Sequence, residues 1–332
     1  MSIQVLVVRQ DGSLYELPVE SVSWSGAKTK APRQIDVTMV ATSRGGHNFI
    51  EPHEGNGVIF LWKGQELFRG IEFKRNRNKS GIMGFTSYDN AIYLVKNTES
   101  YVFVAKKASD ITKRICSDFQ IAIGTIVDTG YVIPSRVYPG KSLYEIIMDA
   151  LYLTYKQTGK RFYLYSKDGK LHLINRAESP RKWVIEDGVN LVDYEYESSI
   201  EDTFTRVKLE AGEEKKTIIA TAKNDELDRQ FGILQYYEKV SDKVNKGQLQ
   251  ERANQILKNK GKVNKTFSLD NVLGIPDCIS GQAIHVISQD LGIKNGYYIE
   301  EDTHTFVGNE HIMILKLQET NDIEEINAGE EG

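Results

Sequence analysis

The sequence predicts a mainly β protein with an α+β insert. Three features lead to this expectation. Short runs rich in Val, Ile and aromatic residues fill 1–98, separated by turn-forming Gly, Asn and Asp. The same pattern returns over 181–318, where it is broken by a single helix at about 247–260. Between them, 99–180 carries two helical patterns followed by a hairpin. A chain of 332 residues is long enough for two or three domains with cores of their own.

In the first region the runs 4–8, 13–25, 34–41, 57–62, 66–74 and 81–94 read as strands. Six short strands in so little chain point to a small barrel or sandwich. Lys63-Gly64 reads as a hairpin turn, and the stretch 74–80 holds four bases in seven residues. Arg75 and Arg77 in that stretch are candidates to grip phosphate or an acidic partner, set against the plainer reading of a solvated hairpin tip.

In the insert, Ser109 can cap a helix whose Ile111, Ile115 and Phe119 share one side. Ser142 and Glu145 form a capping box ahead of an apolar stripe from Leu143 to Leu151, and Gly159 can end that helix. A hairpin with Asp168-Gly169 at its turn follows, and it places Tyr163 and Tyr165 as interface candidates. Packing within the insert is the competing reading for these tyrosines.

In the third region, a helical repeat of Leu249, Ala253, Ile256 and Leu257 interrupts the strands. The chain closes on two strands over 296–317 joined by a tight turn. Residues 319–332 hold six acids and no base, and are expected to be a disordered tail.

The net charge of −4 argues against a general nucleic-acid binder. Cys116 and Cys278 make neither a CxxC pair nor a disulfide framework, and read as two small buried side chains. The N-terminus runs straight into a strand pattern without a signal-peptide signature, and no apolar run approaches the roughly 18 residues of a membrane span. The expectation is a soluble protein made in the cytoplasm.

No sequence motif for a nucleophile elbow, a phosphate loop, a dinucleotide turn or a zincin helix occurs. The strongest chemical candidate is Glu300, Asp302 and His304, which strict strand alternation puts on one face, where they would suit a divalent metal. The preferred reading is a strand with a wet face, with His304 hydrogen-bonded to a neighbour. His47 and His53 fall in a Gly-rich loop, while His172 and His285 read as sheet residues. No cofactor is expected.

The run D-T-H-T-F-x-G-x-x-H-x-M-x-L-x-L from Asp302 to Leu317 resembles the closing segment of XkdQ-like proteins, the baseplate hubs of contractile phage tails and phage-derived bacteriocins. The stretch 199–209, the turn 230–235 and the helix around Ala253 and Leu257 are similar to further parts of that family. The resemblance covers most of the chain, and none of its motifs is catalytic.

The resemblance implies two small tail-tube-like β-barrels, over 1–98 and 181–318, flanking the α+β domain of 99–180. It implies a non-enzymatic homotrimer that adapts a six-fold inner tube to a three-fold central spike, as the hub part of VgrG spikes does. Its partners would be tail tube, spike, tape-measure and baseplate wedge proteins, without membrane or sequence-specific nucleic acid. The particle would leave the host by lysis. The alternatives are a peptidoglycan-binding or wall-degrading tail protein and a metal-assisted hydrolase at Glu300, Asp302 and His304. Under the hub reading, Asp302 and His304 make hydrogen bonds within the second barrel. Phe306, Ile312 and Ile314 then lie on the opposite side of its sheet from Met313 and Leu315.

Overall fold

The computed structural model describes residues 3–40, 52–79, 82–175, 183–212, 217–240, 245–319 and 328–329. Among the described residues strands make up 55% and helices 19%, so the protein is mainly β, as predicted. It divides into two compact units, Met1–Tyr194 with Ser268–Gly332, and Glu195–Phe267. This cut differs from the expected boundaries near 98 and 180. No helix among the described residues is long and apolar enough to cross a membrane.

In the first unit one antiparallel sheet runs, in spatial order, through Glu310–Gln318, Ile293–Val307, Val19–Ala27, Gln34–Val40, Ile82–Asp89, Gln65–Arg77, Gly57–Trp62, Ile3–Val8 and Leu14–Leu17. Pro18 divides the expected single run 13–25 into two strands, because proline has no N–H for the ladder. Lys63 and Gly64, and likewise Asp168 and Gly169, take positive φ, as a two-residue type I′ hairpin requires.

The long strand Ile293–Val307 joins the ends of the chain. It pairs with Glu310–Gln318 on one side and with Val19–Ala27 on the other, His304 opposite Trp24 and Asp302 opposite Gly26. The expected pair of separate barrels is therefore not seen in that form. Among the described residues no sheet closes, and strands from both flanking regions share one sheet. Phe306 packs in the same core as Val22, Trp24, Phe60 and Trp62. It sits opposite His311 in register, so it lies on the face of Met313 and Leu315, whereas Ile312 and Ile314 face outward. This corrects the expected placement of Phe306, because cross-strand partners share a face.

The insert has its own core, built from Ile111, Ile115, Ile146, Ile147, Leu171 and Leu173 among others. Helix Leu143–Thr158 begins at the predicted capping box. Glu145 N–H donates to Ser142 Oγ at 3.2 Å, and Ser142 N–H donates to Glu145 Oε2 at 2.9 Å. The preceding helix, Ala108–Asp118, starts two residues earlier than predicted. Lys107 is its N-cap, and Ser109 is buried against Thr129 instead. Asp149 of the long helix is fully buried and receives Arg136 at 3.0 Å through two nitrogens and Tyr138 Oη at 2.8 Å. Ala328 is buried in this core, so at that residue the expected disordered tail is instead packed. The rest of the tail beyond Glu319, apart from Gly329, lies outside the described residues.

The second unit, Glu195–Phe267, is a small α+β unit rather than part of a barrel. Arg206–Ala211 is flanked by antiparallel Ile218–Lys223 and parallel Gln235–Val240, and the helix Lys246–Lys260 packs Leu249 and Ala253 into their core. The predicted polar excursion after Asn224 is a short helix, Asp225–Phe231, which Asn224 caps by accepting from Glu226 and Leu227 N–H.

Candidate functional site: a buried arginine, carboxylate and histidine cluster

The chemistry read from the sequence centres on Ile293–Val307, and a bulge decides its outcome. The register slips between Ile299 and Glu301, so Ile299, Asp302, His304 and Phe306 are all buried. Glu300 turns instead to Lys28, 2.8 Å away, and exposed Glu301 pairs with Lys316 at 2.9 Å. Glu300, Asp302 and His304 therefore do not converge on one point. The expectation of a shared face rested on strict alternation, which a bulge breaks.

Asp302 has other partners. Arg33, which immediately precedes strand Gln34–Val40, lays its guanidinium on both carboxylate oxygens, with Nη1 at 2.9 Å from Oδ1 and Nη2 on Oδ2. Ser280 N–H donates to Oδ1 at 2.5 Å, and Arg33 Nη1 also reaches Ser280 Oγ at 3.3 Å. The guanidinium stacks over Trp24 at 4.2 Å from the ring centroid. The main chain of Arg33 is fixed as well. Its N–H donates to Asp89 Oδ2 at 3.1 Å, and its carbonyl accepts from Asp89 N–H at 3.0 Å.

Gly26, opposite Asp302, leaves room for the guanidinium. A Cβ there would overlap Arg33 Nη1 and come within 2.8 Å of Cζ. Burial alone would raise the Asp302 carboxyl pKa. The Arg33 charge and its hydrogen bonds, with His304, outweigh that and hold it well below the usual carboxylate range. At Asp89 burial outweighs the Arg33 and Ala91 N–H bonds and the Arg33 charge, and pushes it up to about 7.

His304 is fully buried. Its Nε2 lies 3.1 Å from the Cys278 carbonyl, and its Nδ1 lies 2.9 Å from His311 Nε2. A carbonyl only accepts, so His304 Nε2 carries the proton. With its proton on Nε2, His304 accepts at Nδ1 from His311 Nε2–H. Burial, then His304 and Lys63, lower His311 to about 3. Both His304 nitrogens are thus engaged by Cys278 and His311, not by a nucleophile. Cys278 is buried, and desolvation raises its thiol to about 12. Among the described residues no three His, Cys, Asp or Glu side chains are grouped as metal ligands. The arrangement joins distant strands through buried hydrogen bonds, though Arg33 Nε and Trp24 Nε1 within it have no partner.

A cleft of about 330 Å³ adjoins the cluster, lined by Trp24, Arg33, Phe68, Tyr163, Tyr165 and Trp183 among others. Tyr163 Oη donates to the Ser280 carbonyl at 2.9 Å, and Tyr165 stacks between Tyr163 and His172. Arg75 reaches the Pro52 carbonyl at 3.2 Å and His53 Nδ1 at 3.3 Å, while Arg77 is exposed at its strand's end. His47 lies outside the described residues. The sequence reading missed Arg33, and the cluster is built around it. No local spacing ties it to an acid 269 residues away.

The YQBQ-like family model matches residues 22–318. The chain is 42% identical over 322 residues to the uncharacterized protein YqbQ of Bacillus subtilis, covering 97% of this chain and 98% of that protein. It is 41% identical over 321 residues to the phage-like element PBSX protein XkdQ of the same organism, covering 96% and 98%. Among solved structures, the 43 kDa tail protein of prophage MuSo2 from Shewanella oneidensis superposes with a TM-score of 0.73 at 16% identity, covering 96% of each chain. A tail protein from Neisseria meningitidis gives 0.69 at 15%, covering 99% of each. An Escherichia coli component of the type VI secretion system, described as similar to T4 bacteriophage tail proteins, gives 0.54 at 8%, covering 93% of this chain and 77% of that one. By the family match and by identity over nearly its whole length, the chain belongs to the YQBQ-like family.

Proposed function

We propose that this protein is a structural part of a phage-type tail, the baseplate hub that adapts a six-fold inner tube to a three-fold central spike as a homotrimer. The observation that carries the reading is the fold likeness to prophage tail proteins across almost the entire chain, TM-score 0.73 for the Shewanella protein. The name of the Bacillus relative, a phage-like element protein, supports it. The likeness to a type VI secretion component supports a spike-side role, since that system shares the tail plan.

Under this reading the two strand-rich regions, 1–98 and 181–318, supply the tube-like surfaces, and the insert of 99–180 meets peripheral wedge components. Tube, spike and tape-measure proteins are the partners. Arg75 and Arg77 are proposed contacts to them. The protein works by assembly rather than turnover, and it leaves the host within a particle released by lysis. The buried cluster then serves as a rigid tie between chain ends, which suits a part that passes force during contraction. Native mass spectrometry of the protein mixed with its tube and spike neighbours tests this. Three copies per assembly are expected. A strictly monomeric protein in the mixture, or clearing of cell walls on a zymogram, contradicts it.

A further inference from the structure

Glu72 lies on the inner face of the same sheet, following Phe68 and Gly70 in the inward-facing alternation of strand Gln65–Arg77. It is 1% exposed, and neither carboxylate oxygen has a hydrogen-bond partner. Directly opposite in register is Ser87, fully buried, whose Oγ also has no partner. Side chains at such paired positions project from the same face with Cβ atoms roughly 4.5–5.5 Å apart. On the other flank is Asn56, 7% exposed, with an unpartnered side-chain Nδ2. Its carbonyl accepts from Glu72 N–H at 3.0 Å. A turn holds these groups together, because Gly55 N–H donates to the Glu72 carbonyl at 2.9 Å and Asn56 N–H to the His53 carbonyl at 3.0 Å.

Buried polar groups in proteins are almost always paired, and an unpaired carboxylate is the most costly exception. Here a carboxylate, a hydroxyl and an amide nitrogen on neighbouring residues lack partners together. Burial and the nearby charge of Glu54 push the Glu72 carboxyl up to about 7, and Arg75 only partly opposes them. Arg75 is directed at Pro52 and His53.

We propose that Glu72, Ser87 and Asn56, with Glu54 at the mouth, form a binding site for a hard divalent cation of the calcium class. The oxygen donors are the Glu72 carboxylate and the Ser87 hydroxyl, and turning the Asn56 amide over, which exchanges Nδ2 for Oδ1, adds a third. Calcium accepts six to eight oxygens in flexible geometry, so backbone carbonyls and water can complete its shell. The smaller magnesium demands near-ideal octahedral geometry, which a site shared between a turn and two strands does not offer. A bound cation would neutralise Glu72 and clamp the turn at 53–56 onto the sheet.

The test uses the full chain, stripped with a chelator and then titrated with calcium chloride, with magnesium chloride and potassium chloride as comparisons. One calcium per chain is expected by calorimetry, together with a rise in melting midpoint of about 5 °C at a hundredfold excess over Kd. Glu72→Gln abolishes both responses, and Ser87→Ala weakens binding at least about tenfold. The alanine variant keeps the test informative if the glutamine variant does not fold. Absence of heat and of any midpoint change in the wild type overturns the site. So does calcium binding that survives unchanged in Glu72→Gln, which would point to surface acids. Magnesium binding as tightly as calcium overturns the assignment to the calcium class.

Discussion

Two buried carboxylates on the inner face of one sheet meet opposite fates. Asp302 is held by a two-pronged arginine, a backbone N–H and a histidine. The Glu72 carboxylate has no hydrogen-bond partner. Each lies at a buried strand position, so burial by itself does not separate them. The difference is that Arg33 enters from a neighbouring turn and Gly26 leaves space for its guanidinium. Buried charge becomes structural where a partner of opposite sign can be delivered with good geometry, and stays reactive toward protons or cations where it cannot.

The most severe break in this comparison is Asp302→Ala. It leaves Arg33 buried and uncompensated, and is expected to cost about 3–5 kcal/mol in denaturant unfolding. The double variant Arg33→Met with Asp302→Leu recovers most of that loss, because removing both charges removes the penalty. The pair is also acid-resistant. The folded carboxyl titrates below its unfolded value of about 3.9, so its contribution is complete above about pH 4 and is lost only as pH falls through the folded value.

Glu72 behaves in the opposite sense. Its folded value near 7 lies above its unfolded 4.5, so the native state binds the extra proton and stability falls as pH rises through that window. In chelator, Glu72→Gln is expected to match the wild type near pH 4.5 and to exceed it by up to about 3 kcal/mol at pH 8. Parallel pH curves for the two proteins would remove the contrast with Asp302.

Gly26→Ala sharpens the other half of the comparison. It crowds the guanidinium against Asp302 and is expected to cost about 1–3 kcal/mol by thermal melting, without changing the pH profile of Glu72. At the small end, Arg77→Ala touches no buried group and should change stability by no more than about 0.5 kcal/mol, while weakening any acidic-partner contact made by that strand end.

What was legible in the sequence was local. The Ser142 and Glu145 capping box, the Asp168-Gly169 turn and the helix over 246–260 depend on residues a few positions apart, and each stands where its pattern put it. His304 was expected to be hydrogen-bonded, and it is. The failures are long-range or involve a single irregularity. One bulge at Glu300 undid the shared face with Asp302 and His304. The pairing of Ile293–Val307 with Val19–Ala27 puts strands from the two regions expected to form separate barrels into one sheet, and nothing in the spacing of either strand announces the other. Glu72 followed Phe68 and Gly70 in a clear inward alternation, yet among 46 acids its position carried no mark of its lack of partners.

The central claim, a trimeric hub between tube and spike, is tested most directly by electron microscopy of the protein assembled with its tail tube and spike proteins. Three copies are expected in a ring beneath a six-fold tube ring and above a three-fold spike. Six copies, a position outside the tube axis, or no incorporation in the particle would contradict it.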